Sequence, residues 1–166
     1  MSTQNSGGHS IFDEESGVII GTLNKGTDLM EGLKAEFRKY GFSAGMVTCI
    51  GSVSQAGFVT PFKKEDGSPY YSEPKLVKGI FEILNGTGFF CRDEEGEIDL
   101  HMHAMYVNEM GMLFGGHTLP HENPTLITVE FMIQIGKNVE AIRKFTPSLG
   151  FRTIRFHDGK NNKGGN

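Results

Sequence analysis

The sequence predicts an α+β domain: a mostly antiparallel sheet, folded as a sandwich or barrel, with one or two helices packed on it. Three observations carry that prediction. One capped helical period near the start is followed almost entirely by runs of strand character. The turns between those runs, such as Asp93-Glu94-Glu95-Gly96, are too short for the crossovers of a doubly wound fold. The 166 residues, 37% hydrophobic with 13 Phe and 8 Met, can bury roughly two thirds of their unfolded surface around one core.

Residues 1–15 are polar and glycine-containing and are expected to form a mobile tail, as are residues 158–166, which leaves a domain over 16–157. A β-branched run over 17–23 opens the domain and ends at the turn Asn24-Lys25-Gly26. A helix follows. Thr27 or Asp28 can cap its free N–H groups, Leu29, Leu33 and Phe37 repeat every four residues, and Gly41 suits the left-handed position just past its end. Strands are then expected over 44–50, 53–60, 75–84, 88–92, 97–107, 112–118, 125–135 and 151–156. Residues 61–74 read as one long loop, and 138–145 as a short second helix.

Composition narrows the function. The net charge is −4 and the 16 Lys and Arg are scattered, which disfavours a phosphate-binding face. No apolar run approaches the 18 or so residues of a membrane span, and the N-terminus lacks the basic start and apolar stretch of a secretion signal, so the chain is expected in the cytoplasm. The two cysteines, Cys49 and Cys91, are far apart and are expected as reduced thiols. There is no phosphate-binding P-loop and no dinucleotide glycine fingerprint.

The sharpest chemical feature is a histidine constellation. In a strand, His101-Met102-His103 points two imidazoles to one face. The loop Glu109-Met110-Gly111 is three residues long, with glycine where a type I turn plus G1 bulge needs it, so Asn108 faces Met112 and His103 faces His117. A loop one residue longer or shorter would turn His117 to the other face. Gly115 and Gly116 are expected to give that strand freedom to adjust its approach. Three imidazoles around a divalent ion leave a coordination position open, and zinc, iron, nickel or cobalt would all suit them. With ordinary pKa values near 6.5, such ligands would release metal below about pH 6. The same spacing also fits half-exposed surface histidines, and the residues alone leave both readings open.

Other candidates are weaker. Glu82 and Glu130, each between bulky apolar neighbours, could face the site as a base or as a partner behind the ligands, or face solvent instead. Tyr70 and Tyr71 could line a pocket from the long loop. His121 could act as a gate or accessory ligand but fits a loop residue better, and His9 and His157 read as solvent residues. Cys49 and Ser52 lack a nearby histidine and read as small core residues.

The order of motifs resembles the PPC domain family of plants and prokaryotes, called AT-hook-associated in its plant members. The resemblance covers most of 16–157. It is carried by Ile50-Gly51-Ser52-Val53, by Gly79-Ile80-Phe81-Glu82-Ile83-Leu84-Asn85-Gly86-Thr87-Gly88, by Leu100-His101-Met102-His103-Ala104 and by Gly115-Gly116-His117-Thr118-Leu119. It implies a homotrimer with a zinc-type site on His101, His103 and His117, and a DNA-binding or regulatory role. The Arg-Gly-Arg-Pro hook with which plant members read the minor groove is missing here. The expected function is thus a trimeric metal-binding domain of this kind. The alternative is a metal-dependent enzyme, hydrolytic or cupin-like, that uses the open position. In the cupin reading Glu109 falls too far after His103.

Overall fold

Asp28 starts the one helix among the described residues because its carboxylate accepts the backbone N–H groups of Met30 and Glu31 at 3.1 and 3.0 Å. The computed structural model describes residues 7–160. In chain order the elements are β1 (Gly8–Asp13), β2 (Val18–Asn24), α1 (Leu29–Arg38), β3 (Gly45–Val59), β4 (Pro61–Lys63), β5 (Pro69–Tyr71), β6 (Lys75–Arg92), β7 (Ile98–Val107), β8 (Leu113–Thr118), β9 (Thr125–Ile135), β10 (Val139–Thr146) and β11 (Phe151–Asp158).

Two long strands organise the sheet. β3 pairs with β6 along most of its length, β7 lines the other side of β6, and β8 lies on β7 and touches β3 through Phe58↔Thr118 and Val59↔His117. These four strands close unevenly into a barrel. β9, β2 and β1 extend the sheet from the remaining edge of β3, and the β10–β11 hairpin joins β6 through the parallel pair Ile142↔Arg92. The sheet is therefore antiparallel except at that one junction.

Four sequence expectations change. The breaks expected inside β3 and β6 are register shifts at Cys49/Gly51, Val53/Gln55 and Ile83/Asn85, because a bulge bends a strand without ending it. Where a helix over 138–145 is expected, strand β10 runs over Val139–Thr146; so short a segment nucleates a helix poorly, whereas pairing with all of β11 satisfies its backbone. Within the expected tail, residues 8–13 form strand β1, paired with β2, and at the other end Asp158 closes β11; residues 1–6 and 161–166 lie outside the described residues. The long loop contains the small β4–β5 hairpin.

The core lies between α1 and the inner face of the sheet. Leu29, Leu33 and Phe37 are fully buried, and the Phe37 ring stacks on Phe90 at 4.1 Å and 4°. Burying each such side chain contributes about 2 kcal/mol. Asn123 ties the segment after β8 to this core: its Oδ1 accepts from Gly57 N and the Tyr106 hydroxyl, both at 2.9 Å, and its Nδ2 donates to the carbonyls of Leu119 at 2.7 Å and Gly57 at 3.2 Å. Asp28 accepts its backbone N–H at 2.9 Å, which links this hub to the helix cap. Asn123→Ala strands several buried donors and acceptors at once, so it should lower stability by about 3 kcal/mol in urea unfolding. A change under about 1 kcal/mol would show that the hub carries little of the fold's stability.

Candidate metal centre

Alternation along β7 sends Leu100, Met102, Ala104 and Tyr106 into the core and Asp99, His101, His103 and Met105 to the outer face. The β7–β8 turn has the geometry that its length predicts. Asn108 N–H donates to the Met112 carbonyl at 3.2 Å, the Asn108 side chain accepts from Met110 N and Met112 N at 3.0 and 2.9 Å, and Gly111 sits at φ 75°. The register that follows pairs His103 with His117. β8 is held close on both sides. A Cβ on Gly116 would run into the Val59 carbonyl of β3, and one on Gly115 into the Ala104 carbonyl of β7. These glycines thus give room for close approach, not the freedom to adjust that the sequence suggests.

His101, His103 and His117 each turn a ring nitrogen inward, with the three nitrogens within 4.8 Å of one another. His117 Nδ1 lies 3.4 Å from His103 Nε2. Two imidazoles bound tetrahedrally at about 2.05 Å place their nitrogens about 3.3 Å apart. That pair is already at bonding separation, and the donor set fits one divalent ion with a position left open. Burial pushes the His101 and His117 imidazoles down to about 4, with the nearby positive charge of Arg143 and the neighbouring histidines adding to the shift against a small opposing pull from Asp99. Both rings therefore stay neutral, as ligation requires, well below the pH 6 threshold expected of unperturbed histidines.

The surroundings come from elements distant in sequence. The Tyr71 ring of β5 packs against His117 at 5.2 Å and is itself met edge-on by Phe151 of β11. Arg143 of β10 donates from Nη1 to Asp99 Oδ2 at 3.1 Å, beside His101. A groove lined by Asn85, Thr87, Met105, Leu113 and Phe114 opens next to His103. Strand pairing also carries the His117–His103 row across the outer face to Thr87, Thr48, Met132, Ile20 and Ile11, so the site shares that face with an exposed apolar stripe.

The remaining sequence candidates lie elsewhere. Glu82 pairs with Val107, four residues and about 13 Å along β7 from His103. Glu130 is three strands from β7, and the two carboxylates line a separate groove with Ile50 and Ile127. Both stand on the outer face but away from the histidines, and alternation says nothing of the rung. The Tyr70 ring packs, tilted, against Phe62 at 5.7 Å, and it is Tyr71 that meets His117. His121, at φ 65°, lies 3.7 Å from Glu31 of the helix, and His9 and His157 are exposed on β1 and β11. Cys49 and Ser52 are buried, and burial pushes the Cys49 thiol up to about 12, which leaves it inert. Sequence reading gave Arg143 no role at the site, and no local signal in β10 points there.

A model of the Plants and Prokaryotes Conserved (PCC) domain matches residues 12–136. No curated protein matches the chain by sequence. Several solved structures share the fold. One from Bacteroides thetaiotaomicron, described as a "putative dna binding protein", superposes with a TM-score of 0.74 at 19% identity, covering 90% of this chain and 98% of that one. The metal-containing protein of Archaeoglobus fulgidus gives 0.71 at 20% identity, with 89% and 99% covered. The plant- and prokaryote-conserved (PPC) protein of Pyrococcus horikoshii gives 0.68 at 19%, with 92% and 97% covered. At these identities the likeness establishes the fold.

Proposed function

This chain belongs to the Plants and Prokaryotes Conserved domain family, and on that premise we propose that it is a homotrimeric, cytoplasmic metal-binding domain holding one zinc-type ion on His101, His103 and His117. The observation that carries the reading is the convergence of three ring nitrogens from two paired strands on one point of the outer face. An archaeal structure of the same fold is described as metal-containing, which supports it. The trimer is supported by the apolar stripe on that face, where Ile11, Ile20 and Ile50 are each more than half exposed. The test is elemental analysis together with light scattering of the purified protein. One metal ion per chain and three times the monomer mass at micromolar concentration are expected, and a monomer mass would remove the trimer from this reading.

The DNA-binding role extends to this chain weakly at most, because charge opposes it. Of the basic residues that could touch phosphate, Arg143 is paired with Asp99 and Arg152 with Glu94. Lys63 and Lys64 are exposed on the β4–β5 hairpin, Lys144, Arg155 and Lys160 are exposed or partly so toward the C-terminal end, and Lys163 lies outside the described residues. Duplex binding should be indifferent to sequence and should vanish between low salt and about 150 mM, since each phosphate contact adds about one unit to the salt slope. Sub-micromolar, sequence-selective affinity at that salt would make DNA binding a property of the domain itself.

A metal-dependent enzyme is the second reading, and the groove beside His103 favours it. An open three-histidine ion lowers the pKa of bound water and so supplies a hydroxide for hydrolysis or hydration. The discriminating result is turnover that tracks metal content and is lost with His103.

A further inference from the structure

Arg143 is held beside the histidines in an unusual state. Its side chain is 14% exposed, its Nη1 donates to Asp99 Oδ2 at 3.1 Å, and its Nε is buried with no hydrogen-bond partner. Asp99, His101 and His103 alternate on one face of β7, so the anchoring carboxylate stands one outward position, about 7 Å, from His101. Through Asp99, a dication on the three imidazoles would share this face with the largely buried Arg143 cation, and Asp99 would offset only one of those charges. Buried like charges of this kind are stable together when an anion lies between them. The fork of guanidinium donors suits an oxyanion that binds through two oxygens.

We propose that Arg143 and the metal on His101, His103 and His117 form a two-part site for a small oxyanion, a carboxylate or a phosphate monoester, which fills the open coordination position and accepts hydrogen bonds from the guanidinium. This rests on the metal-centre reading above. It makes Arg143 the residue that selects the ligand's charged group.

The test uses the full chain loaded with cobalt(II), whose visible bands report the ion's coordination sphere. Acetate and methyl phosphate are titrated separately at fixed ionic strength, and the tighter of the two identifies the ligand class. The wild-type protein should show a saturable change. Arg143→Gln should keep one cobalt per chain yet bind the anion about 10-fold or more weakly, and Arg143→Lys should fall between, because it keeps charge but loses the fork. A role confined to tying β10 to β7 would lower the melting temperature of Arg143→Gln and leave anion affinity unchanged, which overturns the proposal. Absence of any saturable change in the wild type also overturns it. Should Arg143→Gln not fold, wild-type affinity for both probes in Arg143→Lys has the same force. Failure of the wild type to take up cobalt overturns the metal-centre reading and this inference with it, whereas full cobalt with unchanged anion affinity in the variant removes only the inference.

Discussion

Replacing His103 with alanine should strip the protein of stoichiometric metal while leaving it folded. His103 is exposed on the outer face and no part of the core rests on it, so the truncation costs little packing. It removes one of three nitrogens, and its partner His117 Nδ1, 3.4 Å away, loses the neighbour that completes a bonding pair. Spread over three ligands, the binding free energy of a zinc-type site makes the loss about 3 kcal/mol or more, at least two orders of magnitude in affinity. Metal analysis after dialysis, with circular dichroism on the same sample, measures both halves of the expectation. His121→Ala is the matched control and should keep its metal, since His121 lies against Glu31 of the helix. Equal metal in wild type and His103→Ala would mean that the ion, wherever it binds, does not use this cluster.

Gly116→Val should be worse for the fold and as damaging to the site, although it touches no ligand. The added Cβ meets the Val59 carbonyl and lies 3.2 Å from the Phe58 ring, on the side where β8 closes onto β3. β8 cannot move away, because β7 holds its other edge in the register that pairs His103 with His117. Overpacking of this kind costs about 3 kcal/mol, or roughly 10 °C in melting temperature for a chain of this size. The strain should also swing His117 away from its partner, so metal affinity falls together with stability. Gly111→Ala provides the contrast. Its cost is confined to a left-handed φ of 75° with open space around the position, so it should destabilise by about 1 kcal/mol and leave metal content unchanged. Equal effects of the two substitutions would refute the idea that close strand approach builds the site.

These two positions also show what could be read in advance. The face and partner of each metal-candidate histidine follow from local rules: two-residue alternation in β7, and a three-residue turn whose glycine sets the register. The helix follows in the same way from the Asp28 cap and the four-residue spacing of Leu29, Leu33 and Phe37. Where long-range pairing decides, local rules fail. β10 carries a weak helical spacing that its pairing with β11 overrides, and β1 looks like a tail because its inward residues are Gly8, Ser10 and Phe12, which with the exposed Ile11 leave no apolar alternation. For Glu82 alternation leaves the face open and cannot give the rung, because a bulge at Ile83/Asn85 and the length of β6 are invisible to it. Arg143 and Tyr71 reach the histidines only through the folding of the β10–β11 and β4–β5 hairpins onto the barrel, contacts between residues far apart in the chain that no local spacing encodes.

The central claim, that His101, His103 and His117 hold one divalent ion, is tested most directly by X-ray absorption at the metal edge of the purified wild-type protein. Stoichiometric metal with three imidazole nitrogens at about 2.0–2.1 Å and a lighter ligand in the remaining position is the expected result. A protein that takes up no stoichiometric metal when zinc is supplied, or a bound ion whose first shell contains sulfur or lacks imidazole, would contradict it.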